Sequence, residues 1–115
     1  MPHIIIEHSV DIESQIDMAD LLRAAHNALA DKGIDRARIK TRAVPISHCF
    51  VGNHDCNEGS MIHTTLLLLE GRDIALKQEY ATAINDAVKG IVSAKITECS
   101  YTLEVRDMVK DTYIL

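Results

Sequence analysis

One order of patterns is written twice along this chain, and that duplication constrains the fold more than any other feature. His3 to His8 is a short run around Ile4, Ile5 and Ile6, the signature of a strand. A helical spacing follows from Asp17, and a second strand-like stretch runs from Arg38 to Val51. The order then restarts: a strand at Met61 to Leu69, a helix from Asp73 and a last strand at Cys99 to Val105. A helix crossing between two strands makes them parallel, with a right-handed connection. The second unit opens near Ile62, so the repeat is about sixty residues long, in pattern and not in clear identity. No linker-like segment separates the halves. The expectation is one domain over residues 1–115, of α+β class built from α/β-type units: a duplicated β-α-β with a four-stranded sheet and two helices on one face.

Local signals agree with this order. Asp17 is placed to cap the first helix, with Asp20 in its first turn, and Met18, Leu21, Leu22, Ala25, Ala28 and Leu29 recur at helical spacing. Gly33 suits the end of that helix. Pro45 lacks an N–H, so the second strand belongs at an edge or a bend. Residues 52–59 read as a polar loop, and Gly71 breaks the strongest strand. Ala81, Ile84, Val88 and Ile91 form one stripe of the second helix, with Ala87 beside it, and residues 107–115 form a tail. Leu66 to Leu69 is apolar at four successive positions, so both faces of that strand call for burial. Two helices cover one face only. A second copy of the chain is the economical cover for the other, and the apolar end of the tail, Tyr113 to Leu115, suits the same contact.

Composition excludes several classes. A net charge of −5 opposes binding to nucleic acid, which depends on neutralising phosphates. With no Trp and Phe50 the sole Phe, platforms for stacking bases are scarce. No apolar run approaches the roughly 20 residues that span a bilayer, and the start has neither a basic region nor a small-residue cleavage site. Three cysteines, without a framework spacing, suit a reducing compartment. These features describe a cytoplasmic protein with no membrane and no nucleic acid among its partners.

Several residues could carry chemistry. Initiator methionine is commonly removed before a residue as small as proline, and Pro2 would then present a secondary amine. A free α-amine titrates near about 8, and burial or neighbouring cations lower that value towards neutrality, where a general base works best. A proline that merely starts a strand is the plainer alternative. Arg36, Arg38, Lys40 and Arg42 alternate, so a strand would place them on one face, able to bind a carboxylate or simply to face solvent. Arg72 stands where the third strand meets the second helix, a common ligand position in α/β folds. His48, Cys49, His54 and Cys56 run H-C-x4-H-x-C, which lacks the paired spacings of structural zinc sites. Cys99 suits the core, and His63 reads as a satisfied, partly buried histidine. No P-loop, G-x-G-x-x-G, G-x-S-x-G or H-E-x-x-H occurs.

PHIIIEHS at residues 2–9, IKTR at 39–42 and HTTLLLLEGRD at 63–73 together resemble the tautomerase superfamily, and within it the 5-carboxymethyl-2-hydroxymuconate delta-isomerases. LEGR and the helix after it also resemble the short 4-oxalocrotonate tautomerase subunit, of which the longer members are doubled versions. The resemblance implies a homotrimer with sheets facing inward, no cofactor and no metal. It implies that Pro2, freed of Met1, is the catalytic base acting on a small carboxylate substrate of aromatic catabolism. Arg72 matches the family's carboxylate-binding arginine. Lys40 falls where the family usually has arginine, and Arg42 lies two residues on, facing the same side. Lysine at 40 loses the bidentate fork, and Ile62 stands at the second half's counterpart of Pro2, so one catalytic proline per chain is expected. The alternatives are a tautomerase of another enol, such as that of phenylpyruvate, and a non-catalytic trimer that binds a small acid or a protein.

Overall fold

The computed structural model describes residues 1–55 and 59–115. Its strands are β1 (His3–Ser9), β2 (Lys40–Ile46), β3 (Phe50–Val51), β4 (His54–Asp55), β5 (Ser60–Leu69) and β6 (Cys99–Met108), with helices α1 (Met18–Ala30) and α2 (Ile74–Val92). Short 3-10 turns occupy Val10–Ser14, Arg36–Arg38 and Lys110–Thr112. The main sheet has the order β2-β1-β5-β6. β1 runs parallel to β2 and β5 parallel to β6, while β1 and β5 are antiparallel at the centre, pairing Ile4 with Leu66 and His8 with Ile62. Each half is thus one β-α-β unit, and the two halves meet along their first strands.

The helices begin where the capping chemistry places them. Asp17 accepts from the Ala19 amide at 2.9 Å, and Asp73 from the Leu76 amide at 2.8 Å, each satisfying a donor that a helix start leaves open. Ile4 and Ile6 of β1 and Ile62, Leu66 and Leu68 of β5 are fully buried against Leu21, Ala25 and Leu29 of α1 and Ile84, Val88 and Val92 of α2. The alternate residues Ile5, Leu67 and Leu69 lie half-buried on the face without helices. The four-leucine run is therefore divided between the two faces. His63 lies on the open face, with Nδ1 2.7 Å from the Thr102 hydroxyl and Nε2 3.5 Å from Glu104.

The second strand is shorter at both ends than its sequence suggests. Asp35 accepts from the Ala37 amide at 3.1 Å and winds Arg36–Arg38 into a 3-10 turn, so only Lys40 and Arg42 of the expected basic row lie on β2. Pro45 occupies the edge strand, as its missing N–H requires. Beyond Ile46 the chain forms a small hairpin of β3 and β4 around Gly52, whose φ of +62° favours glycine. This hairpin takes part of the stretch expected as a loop. β6 continues to Met108, so the tail is shorter than expected and folds back. The Lys110 amide donates to Glu70 Oε2 at 2.6 Å, and the Tyr113 hydroxyl lies 2.9 Å from His3 Nε2. Among the described residues no helix is long and apolar enough to cross a membrane.

Candidate active site

One end of the sheet gathers the start of β1, the approach to β2 and the exit of β5. Pro2 is buried there, immediately before β1, and its carbonyl accepts from the Lys40 amide at 3.0 Å. A pocket of about 390 Å³ opens around it, walled by Met1 and Pro2, by the Gly33–Asp35 turn, by Arg38, and by Leu69, Arg72 and Tyr80. That volume lies at the small end of ligand sites and suits a short acid better than a large ligand.

Each wall has a local cause. Gly33, with φ of +99°, turns the chain out of α1 towards the pocket. Gly71, with φ of +119°, separates the end of β5 from Asp73, the cap of α2, and Arg72 is carried on the bend between them. The Arg72 guanidinium donates from Nη1 to the Leu69 carbonyl at 3.3 Å, which holds it beside the strand end. Arg38 closes the 3-10 turn, with Nε 3.7 Å from Asp35 Oδ2. Tyr80 reaches the site from the buried stripe of α2.

The electrostatics follow this grouping. The Met1 amine is held below its ordinary value of 8.0, first by burial, then by the charges of Arg72, Arg38 and Lys40. His3 is held below 6.5, first by burial, then by Arg42, Lys40 and the N-terminal amine. Arg42 can only donate, so its Nη1 contact of 3.1 Å makes His3 Nδ1 the acceptor. The imidazole proton then sits on Nε2 and is donated to the Tyr113 oxygen.

Of the four residues picked out in the sequence, Pro2 and Arg72 share the pocket wall. Lys40 and Arg42 do not line it. Register pairs them with His3 and Ile5, which places both on the helix-free face. The sequence pattern counts Arg38 with the strand-borne basic row and not with the site, and it gives no signal for Asp35 or Tyr80 as parts of the site. An aspartate two residues before Ala37 is a capping signal that would have moved Arg38 off the strand. Among the described residues no group of three His, Cys, Asp or Glu side chains could hold a metal. Cys56 of the zinc-like motif lies outside the described residues. Cys49 is disulfide-bonded, so it carries no free thiol, and Cys99 does.

Solved structures place the fold. A 5-carboxymethyl-2-hydroxymuconate isomerase from Deinococcus radiodurans R1 superposes with a TM-score of 0.80 at 16% identity, covering 99% of this chain and 87% of that one. A 5-carboxymethyl-2-hydroxymuconate delta-isomerase gives 0.76 at 17% identity, over 100% and 89%. A wild-type fused 4-OT, described as a symmetric trimer, gives 0.76 at 18%, over 98% and 90%. At these identities the likeness is one of fold. No curated protein sequence matches the chain. The family model for 5-carboxymethyl-2-hydroxymuconate isomerase matches residues 2–113, nearly the whole chain. With the doubled β-α-β sheet and helices on one face, this shows that the chain belongs to the 5-carboxymethyl-2-hydroxymuconate isomerase family.

Proposed function

We propose that the protein is a cofactor-independent isomerase acting on a 2-hydroxymuconate-type unsaturated acid, with Pro2 as general base once Met1 is removed. The free Pro2 amine takes the 2-hydroxyl proton of the dienol. The O–H electron pair becomes the C=O bond, the double bonds shift along the chain, and the same nitrogen returns the proton to the terminal carbon of the dienol system. The product is the 2-oxo isomer, and no electrons leave or enter. Arg72 binds a substrate carboxylate, while Lys40 and Arg42 lie on the helix-free face outside the pocket. The assembly is a homotrimer whose inward faces are the helix-free sheet faces.

The observation that carries this reading is the burial of Pro2 in a small pocket beside Arg72. Cations and burial lower the amine one residue away, and the same surroundings push a Pro2 amine in the same direction, towards the range where a general base works. Ketonisation of a 2-hydroxymuconate dienol by wild type and Pro2→Ala is the test. The substitution is expected to lower kcat by about 10²- to 10⁴-fold, the usual worth of a general base. An unchanged rate rejects the mechanism.

A second reading applies while Met1, which stands on the pocket wall, is retained. While Met1 is attached, the Pro2 nitrogen is a tertiary amide without a basic lone pair. That molecule would bind a small acid and turn nothing over. Intact mass of the native protein separates the two readings: loss of one methionine supports the isomerase.

A further inference from the structure

We infer that Arg38 is the second carboxylate ligand of this pocket: together with Arg72 it takes the two ends of a dicarboxylate laid across Pro2, while Lys40 and Arg42 stay outside. The inference rests on the isomerase reading for the identity of the substrate, but its support is geometric.

Strand order sets the arrangement. β1 lies between β2 and β5. Arg38 leads into β2, Pro2 leads into β1 and Arg72 follows β5, so the three meet at one sheet end with Pro2 in the middle. Neighbouring strands are about 4.8 Å apart, which separates the two arginine-bearing segments by roughly 10 Å. A short-chain diacid with one hydrogen bond at each end spans such a gap.

Arg38 also has the right groups free. Its Nε faces Asp35, which is itself fixed by the Ala37 amide. At 3.7 Å that contact is an ion pair and too long for a hydrogen bond. The pairing leaves the terminal nitrogens to fork a carboxylate. Arg42 is already engaged by His3 on the open face, and Lys40 shares that face. Two guanidinium groups against the single Asp35 carboxylate leave the pocket wall positive, which favours a dianion over a monoanion.

The experiment is calorimetric titration of wild type, Arg38→Gln, Lys40→Gln and Arg42→Gln with adipate, an inert six-carbon dicarboxylate, and with hexanoate, the monocarboxylate of equal length. Thermal unfolding of each variant checks the fold; the Asp35–Arg38 pair is exposed, so its loss alters stability little. Arg38→Gln is expected to weaken adipate about 10- to 100-fold, the range for losing a hydrogen-bonded charge, and to leave hexanoate within about threefold, inside the scatter of ordinary surface changes. Lys40→Gln and Arg42→Gln are expected to hold adipate within the same margin. Arg38→Lys, which keeps charge but loses the fork, falls between. Unchanged adipate affinity in Arg38→Gln, an equal loss in Lys40→Gln, or no adipate binding by wild type overturns the inference. The dienol assay separates the two claims. Wild type that binds adipate through Arg38 yet ketonises nothing removes the isomerase reading alone. Full ketonisation of a diacid by Arg38→Gln removes the role of Arg38 alone.

Discussion

His3 stands between a guanidinium that only donates and a phenol that accepts, so its neutral form is built into the contact. Protonation would place a second cation against Arg42, and Lys40 and the N-terminal amine face the ring as well. Its affinity for a proton is thus lower in the fold than in the unfolded chain, and unfolding takes up a proton as pH falls through the ordinary value of 6.5. His3 therefore costs no stability well above that value and progressively more below it. Chemical denaturation at pH 5 and pH 7.5 is expected to show a smaller pH difference in His3→Gln than in wild type. An equal difference in both would refute this account. The residue scale also shows what a sequence conceals. A period of two puts Lys40 and Arg42 on one face, and they are on one face, but periodicity cannot say which face looks at the pocket. Pro2 and Arg72 were legible through resemblance and through position at strand ends. Arg38 was not, because a turn capped by Asp35 moves it off the strand whose pattern it continues.

Elements were easier to see than their junctions. Both helices, the order of the main strands and the edge position of β2 follow from spacing, capping and Pro45. The hairpin at Phe50–Asp55 did not, since two-residue strands carry no periodicity to detect. The junction between β5 and α2 matters most for the site. Gly71 holds φ of +119°, a conformation that side chains rarely adopt, and Arg72 depends on the bend it makes. Gly71→Ala meets no severe crowding, since the nearest atom to an added Cβ is Lys110 Nζ at 3.7 Å. Its cost is backbone strain of about 1–3 kcal/mol. Denaturant unfolding should record that loss, together with weaker carboxylate binding as Arg72 shifts. Wild-type stability in this variant would mean the bend tolerates a side chain.

At the scale of the whole molecule, one sheet face is packed and the other waits for a partner. Ile5, Leu67 and Leu69 are half-buried in a single chain, and the trimeric reading covers them. Sedimentation equilibrium should give the mass of three chains, and Leu67→Asp should shift it towards one chain by placing a charge in that contact. A wild-type monomer would reject the trimer. The antiparallel meeting of β1 and β5 has a different consequence. It runs the two halves in opposite directions, so Arg38, before β2, and Arg72, after β5, meet at one end, while Asp11, Glu13 and Glu98 lie at the other. β5 alone separates those ends by about 30 Å, several times the roughly 8 Å over which physiological salt lets charges feel one another. A diffusing acid nearing the pocket therefore responds first to the charges on its wall, Arg38 and Arg72 against Asp35, and less to the net charge of −5. An acidic protein can in this way draw an acidic molecule to one pole while repelling it elsewhere.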